Sequence, residues 1–535
     1  MKVLLMSLQR GLEAIGLKYL HYYLLENGHQ SSILYLPNLN LNDFRQRDNI
    51  KEFIFSANPG LIGISLMSDG YYLACSLTKY LRGFNSSIPI IWGGVHPTIS
   101  PDNCLEYADY VCRGEGEKTI LDIANAISKS EDIKNINNLC YSEGGFINKN
   151  PLYPLLDNLD EMPICEHIPR NSFIMRNGNI LELDKKVFRR YDRYMGRIYS
   201  AITTRGCPFS CTYCCNNSFS LLYDSNKARK RSISNIIEEL EKTLKDNQEI
   251  EYVNFQDDCF LAYSDEYLRQ FCEIYKEKIG KPFITRVIPV YITKDKIKSL
   301  KEAGLSWVSL GLQSGSDRIC KEIYKRKSFK ADFLKAARII KDFNLAAFYD
   351  VIFDNPFESE EDKFETIDTL IKTPRPFYMQ CFSLVLYPGT ELYEKAKLEY
   401  PGCVEDYLEK DYSMPHQNAI NDLIRLAPFI DKKFMTEIIR LYKRQSQGRR
   451  FKTILFITKL LTVCIFQPVA YFQVVRLSQR GSYLKTFKVL AIYFKEGFRW
   501  HFNQFRGKVK DAQINGLAVS KTLKEREYGY ERYRN

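Results

Sequence analysis

Short apolar runs separated by amphipathic stretches constrain this chain most. Runs at residues 3–6, 33–36, 61–66, 88–92 and 110–112 are rich in Val, Ile, Leu, Tyr and Trp, and helical patterns fall between most of them. Strands apolar on both faces must be covered on both faces, so the alternation predicts a parallel, doubly wound α/β sheet. Five strands over residues 1–140 fit a flavodoxin-like (Rossmann-type) domain. The alternation resumes at 198–203, 252–255, 283–287, 307–312, 348–353 and 379–386. Six βα units predict a partial (β/α)6 TIM-like barrel over residues 197–405. Residues 141–196 carry several prolines and weak periodicity and read as a connector, with a hairpin at 139–147 around Gly144-Gly145. Residues 406–535 read as a mostly helical, basic C-terminal region.

In such sheets ligands bind beyond the carboxyl ends of the strands. The unusual residues lie there: 65–70 after the third run, Gly93-Gly94-Val95-His96-Pro97-Thr98 after the fourth, Arg113-Gly114-Glu115-Gly116-Glu117 after the fifth. Glycine lets a backbone approach a ligand closely, and it serves a tight turn equally well. Ser65, Gly93, Gly94, His96, Gly114 and Glu115 are the candidates for ligand contact.

The fifteen cysteines are odd in number and scattered from Cys75 to Cys464, which suits a reducing compartment with a metal site better than a disulfide framework. The exception to the scatter is Cys207-Pro208-Phe209-Ser210-Cys211-Thr212-Tyr213-Cys214-Cys215, just after the first strand of the second domain. Thiolates at i, i+4 and i+7 on one short loop can converge on a [4Fe–4S] cluster and leave one iron open. A structural zinc site would call for a second cysteine cluster, and the sequence has none. Cys207, Cys211 and Cys214 are therefore the candidate ligands, and Cys215 points elsewhere.

This CxxxCxxC spacing, with an aromatic residue before the last Cys, resembles the radical S-adenosylmethionine superfamily. The resemblance implies that the open iron binds the amino and carboxylate groups of S-adenosylmethionine. Reductive cleavage would then give a 5′-deoxyadenosyl radical that abstracts hydrogen. Three further stretches resemble family elements: Phe255-Gln256-Asp257-Asp258-Cys259-Phe260, Gly311-Leu312-Gln313-Ser314-Gly315-Ser316 and Tyr387-Pro388-Gly389-Thr390. They imply cofactor contacts from Asp257, Asp258, Gln313 and Ser314. The stretch Asp354-Asn355-Pro356-Phe357-Glu358-Ser359 departs from the family pattern, since its flanking glycines are missing.

The first 140 residues resemble the cobalamin-binding domain of one branch of that superfamily, on the strength of Trp92-Gly93-Gly94-Val95-His96-Pro97-Thr98 and Arg113-Gly114-Glu115-Gly116-Glu117. Many cobalamin domains place an axial histidine in the first βα loop. Residues 7–16 contain none. The cobalt is then not His-ligated from this loop, and His96 is a candidate for the corrinoid tail. The resemblance covers roughly residues 1–140 and 197–400.

It implies a cobalamin-dependent radical enzyme that uses a [4Fe–4S] cluster, S-adenosylmethionine and cobalamin, with C-methylation of an unactivated carbon as the leading reaction. The alternatives are a ring-forming or oxidative enzyme of the anaerobic tetrapyrrole cyclase kind, and a non-catalytic corrinoid or redox sensor. A methylthiotransferase acting on tRNA would need further cluster cysteines near the N-terminus, and Cys75, Cys104 and Cys112 form no close set. The implied partners are a small-molecule or lipid-like substrate and a flavodoxin- or ferredoxin-type electron donor.

Charge argues against a nucleic-acid partner. From residue 441 onward twenty Lys or Arg stand against five Asp or Glu, an excess larger than the whole chain's +12. The rest is slightly acidic. The longest uncharged run of the tail, 460–475, contains Pro468 and falls short of the roughly 20 residues of a spanning helix. It suits a helix lying on a membrane surface, or a buried packing helix with a solvated basic face. The first apolar run is too short for a signal peptide, and the expected location is cytoplasmic with peripheral membrane contact through the tail.

Overall fold

The computed structural model describes residues 1–404, 415–445 and 448–479, with Tyr483, Thr486 and Leu490. Strands β1 (Lys2–Ser7), β2 (Gln30–Tyr35), β3 (Leu61–Ser65), β4 (Ile90–Gly93) and β5 (Tyr110–Cys112) form a parallel sheet in the order 5-4-3-1-2. Side chains alternate along β1, so Leu4 and Met6 enter one core with Ile62, Ile64 and Trp92. Val3 and Leu5 enter the other with Ile33, Tyr35 and Ile91. Helices Ile15–Glu26, Phe44–Ala57, Tyr71–Arg82 and Glu117–Ser128 supply the cover.

The sheet is wider than the five strands expected. The hairpin β6 (Leu139–Glu143) and β7 (Phe146–Lys149) extends it antiparallel beyond β5. At the other edge β8 (Ser172–Arg176) pairs parallel with β2, and β9 (Asn179–Glu182) closes a nine-stranded sheet. Residues 141–196, read from the sequence as connector, thus supply three strands and the helix Lys185–Tyr191. Edge strands of four or five residues beside prolines carry too little periodicity to be read.

The second sheet holds β10 (Ile198–Ala201). A short antiparallel ribbon of β11 (Thr204–Arg205) and β12 (Arg229–Lys230) follows it. Then come β13 (Tyr252–Phe255), β14 (Phe283–Val287), β15 (Leu305–Gln313), β16 (Ala346–Phe353) and β17 (Tyr378–Ser383). All neighbours in the order β10-β13-β14-β15-β16-β17 are parallel, an open six-stranded arc. Its outer helices start on side-chain caps: Ser232, Ser264, Thr293 and Ser359 each accept the N–H three residues on. Each cap contributes about 1 kcal/mol. Phe255, Phe260, Phe271, Phe283 and Phe333 fill the space between strands and helices.

Beyond the barrel, helices Ala419–Leu426 and Lys432–Gln445 precede one continuous helix, Arg449–Ser478, of 30 residues. It is the one helix among the described residues long and apolar enough to cross a membrane. The uncharged run understated its length, because the charge of Lys459 is accommodated by Asp422 at 2.8 Å. The basic tail beyond residue 479 lies almost wholly outside the described residues.

Candidate active site between the two sheets

The carboxyl ends of the two sheets face each other. The β11–β12 ribbon, which leads into the cysteine loop, lies against the loop that follows β5. Arg205 and Arg229 are opposite one another on the ribbon. Arg229 forks onto the Glu115 carboxylate at 2.6 and 3.0 Å. Arg205 reaches Glu115 at 3.3 Å and Glu117 at 2.7 Å. Arg229 is 5 % exposed, so the cluster is largely shielded from water. Burial pushes the Glu115 carboxyl up, but the two arginines hold it net below its ordinary value.

Tyr223, after the helix Cys215–Leu222, completes this seam. Its hydroxyl accepts the Glu115 N–H at 3.0 Å. A Cβ on Gly114 would stand 1.9 Å from that oxygen, and Gly114 has φ +78°. Nothing larger than glycine fits. A second contact joins the loop after β17 to the helix Val95–Ile99: a Cβ on Gly389 would stand 2.2 Å from the Ile99 carbonyl. Ser218 donates to the Gly389 carbonyl at 2.7 Å. The first βα loop also reaches across, with Glu13 accepting from Ser200 of β10 at 3.1 Å.

The cysteine loop is pinned at several points. Gly206 has φ +90° and passes beneath the Lys227 carbonyl, where a Cβ would be 2.8 Å away. Thr212, 2 % exposed, donates its hydroxyl to the Ile323 carbonyl at 2.6 Å and its N–H to the Tyr324 carbonyl at 3.0 Å. The Tyr213 ring packs edge-on against Tyr324. Cys207, Cys211, Cys214 and Cys215 are half-buried, whereas Cys75, Cys104, Cys112, Cys140, Cys165, Cys259, Cys272 and Cys320 are buried. The thiols turn toward neighbours: Cys207 hydrogen-bonds with Cys259, which holds it below its ordinary pKa. Cys214 hydrogen-bonds with Cys215 and lies well above its own. As oriented, no three His, Cys, Asp or Glu side chains among the described residues could hold a metal ion. One rotation about χ1 redirects each thiol, a small change between staggered wells.

Several expected cofactor contacts have other partners. Asp257 is 1 % exposed and accepts from the N–H and hydroxyl of both Thr203 and Thr204. It braces the strand end that launches the cysteine loop. Burial pushes its carboxyl up to about 6 against those hydrogen bonds. Asp258 is exposed, and its charge reaches Cys207 and Cys215. Glu115 and Gly114 belong to the seam between domains. Ser314 is 1 % exposed and donates to Glu358 at 2.8 Å. Burial pushes the Glu358 carboxyl up to about 7. Gln313 ends β15 at φ +67°, beside a shift of strand register. That left-handed conformation is uncommon outside glycine and marks the end of β15 as specially shaped.

In the first domain, Ser65 and Gly93 are opposite one another at the ends of β3 and β4. Gly94 has φ +102°, and a Cβ there would be 2.8 Å from the Leu66 carbonyl. His96 is fully buried. Its Nδ1 pairs with the Ser68 hydroxyl at 3.0 Å, and its buried Nε2 has no hydrogen-bond partner. Burial lowers its pKa to about 4, so the ring is neutral.

Comparison with known proteins matches this arrangement. The model of the radical SAM superfamily fits residues 201–370, and that of the B12 binding domain fits residues 1–124. An uncharacterised methyltransferase of Pyrococcus horikoshii is 29% identical over 65% of this chain and 72% of its own length. The anaerobic magnesium-protoporphyrin IX monomethyl ester cyclase of Rubrivivax gelatinosus is 22% identical over 70% of this chain and 65% of its own. The fold is also that of two solved proteins, each 17% identical. The radical S-adenosylmethionine methyltransferase TsrM of Kitasatospora setae, with tryptophan substrate and an S-adenosylmethionine analogue bound, superposes with a TM-score of 0.61 over 74% of this chain and 76% of that one. The cobalamin-dependent radical enzyme OxsB with aqua-cobalamin bound superposes with 0.62 over 92% and 75%. The chain belongs to the radical S-adenosylmethionine enzymes that carry an N-terminal B12-binding domain, and its cofactors are a [4Fe–4S] cluster, S-adenosylmethionine and cobalamin.

Proposed function

We propose that this enzyme methylates an unactivated carbon of a small-molecule or lipid-like substrate held between the two sheets. The observation that carries the reading is the seam of Glu115, Arg205 and Arg229, which fixes the cysteine loop opposite the carboxyl ends of β3, β4 and β5. When bound, the cofactors supply a one-electron cleavage of S-adenosylmethionine to a hydrogen-abstracting 5′-deoxyadenosyl radical, and a transferable methyl group.

The residues fit those groups. Cys207, Cys211 and Cys214 offer soft, half-exposed sulfur donors on one braced loop, and they would hold the cluster once Cys207 turned from Cys259 and Cys214 from Cys215. Asp257 and Thr212 keep the loop still. Gln313, Ser314 and Asp258 border the S-adenosylmethionine side, with the Ser314–Glu358 pair orienting the end of β15. Ser65, Gly93, Gly94 and His96 border the corrinoid side. The orphaned Nε2 of His96 would take one hydrogen bond from, or give one to, the corrinoid tail, and the lack of a Cβ at Gly94 lets the chain pass close to the Leu66 carbonyl. The faces of both sheets, once joined, exclude water from a reactive radical.

A flavodoxin- or ferredoxin-type protein supplies the electron. The enzyme works in the cytoplasm, in peripheral contact with a membrane through its C-terminal helices. The domains act as units over residues 1–140, whose sheet the strands of 141–196 extend, and 197–405, with 406–535 appended.

Similarity to the anaerobic cyclase favours a second reading, ring formation or oxidation. Reduced, reconstituted enzyme given S-adenosylmethionine separates the readings. Methylation predicts both 5′-deoxyadenosine and S-adenosylhomocysteine. 5′-Deoxyadenosine alone would favour the cyclase-like reaction, and neither product would favour a non-catalytic corrinoid sensor.

A further inference from the structure

The helix Arg449–Ser478 has two faces with different fates. Phe451, Leu455, Thr458 and Thr462 are buried, and their spacing of four, three and four residues is one helical stripe. Nearer the C-terminus, Val474, Val475 and Ser478 are buried too. This stripe lies on protein. Lys459 pairs with Asp422. The Tyr471 ring packs on Tyr378 of β17, and the Ser478 carbonyl accepts from Ser306 of β15.

The other face is apolar and open. Phe456 is 67 % exposed, Leu460 54 % and Val463 61 %, again spaced four and three, with Ile457, Leu461 and Ile465 beside them. Arg449, Arg450 and Lys452 are exposed at the N-terminal end, where an open depression is lined by Arg449, Lys452, Thr453 and Phe456. The helix contains no acidic residue. An exposed apolar stripe of this extent marks an interaction site, and its basic, acid-free border selects an anionic surface.

We propose that this face docks into the headgroup–acyl boundary of an anionic phospholipid bilayer, with the helix in the membrane plane. Thirty residues at about 1.5 Å each could cross the roughly 30 Å hydrocarbon layer. Crossing would strip the buried stripe from the barrel and carry Lys459 from Asp422 into lipid. Lying flat keeps both contacts, buries Phe456, Leu460 and Val463 in acyl chains, and leaves Arg449, Arg450 and Lys452 at the phosphates. The inference deepens the peripheral contact proposed above and is independent of the reaction.

The test is co-sedimentation of the full-length protein with vesicles of phosphatidylcholine alone and with 30% phosphatidylglycerol (about the fraction that gives a substantial surface potential). Binding is expected to the anionic vesicles only, and to fall about ten-fold on raising salt or in Phe456→Glu/Leu460→Glu. The circular dichroism of that variant should match wild type, because both side chains are exposed. Bound protein should be released by alkaline carbonate. Failure to bind, unchanged binding in the double variant, or resistance to carbonate each overturns the proposal. Cys207→Ala should bind vesicles as wild type does, so loss of the radical reaction and loss of docking are distinguishable.

Discussion

At the scale of the residue, ligation and buried polarity decide what the site can do. Glu358 occupies the stretch whose glycines depart from the family pattern, and it carries a carboxyl raised from 4.5 to about 7 by burial. A raised acid keeps its proton in the folded state where the unfolded chain has lost it. Stability therefore falls as pH rises from about 4.5 to about 7 and levels off beyond. Glu358→Gln removes that fall while its amide oxygen can still accept from Ser314. The variant should gain about 1–3 kcal/mol over wild type at pH 8 relative to pH 5, read as the difference in melting temperature at the two values. An equal difference at both pH values would contradict the assignment. The cysteine spacing was legible because it is local. The role of Asp257 was not, since its four donors come from Thr203 and Thr204, more than fifty positions away.

At the scale of the element, the strand ends position everything else. The barrel strands β10 and β13 to β16 were legible as apolar runs because each has a buried side, and β13 and β14 fall at the residues expected. Strands β8 and β9 were missed because the pairing of β8 with β2, and of β9 with β8, is decided by a sheet edge that no local pattern encodes. Gly389 shows what a loop contributes. An Ala there meets the Ile99 carbonyl and takes an unfavourable φ of +78°. Gly389→Ala should cost about 1–3 kcal/mol and weaken cobalamin binding, as measured by thermal melts and equilibrium dialysis. Wild-type values for both would show that this contact does not set the cleft.

At the scale of the whole molecule, the seam between the sheets makes one site from two domains. Arg205 sits directly before the cysteine motif and Arg229 has no sequence signal at all, so only the fold reveals that both converge on Glu115. Glu115→Gln leaves two arginines without a carboxylate. The cost should lie near the lower end of the roughly 3–5 kcal/mol of a broken buried pair, because Glu115 keeps some exposure. Since the Glu115 carboxyl is held below its ordinary 4.5, its contribution is full above that pH and is lost as pH falls through the folded value. Wild type and variant should converge in stability in acid. Limited proteolysis should cut the variant between the sheets at neutral pH, and equal resistance would place the domain contact elsewhere.

On the function proposed, Cys207, Cys211 and Cys214 hold a cluster open to S-adenosylmethionine. The most direct test of that ligand set is iron content and 5′-deoxyadenosine formation after anaerobic reconstitution of wild type, each single Cys→Ala variant of the three, and Cys215→Ala. About four irons per chain and cleavage are expected in wild type and Cys215→Ala, with both lost in the other three. Full iron and cleavage in Cys207→Ala, Cys211→Ala or Cys214→Ala would contradict that ligand set.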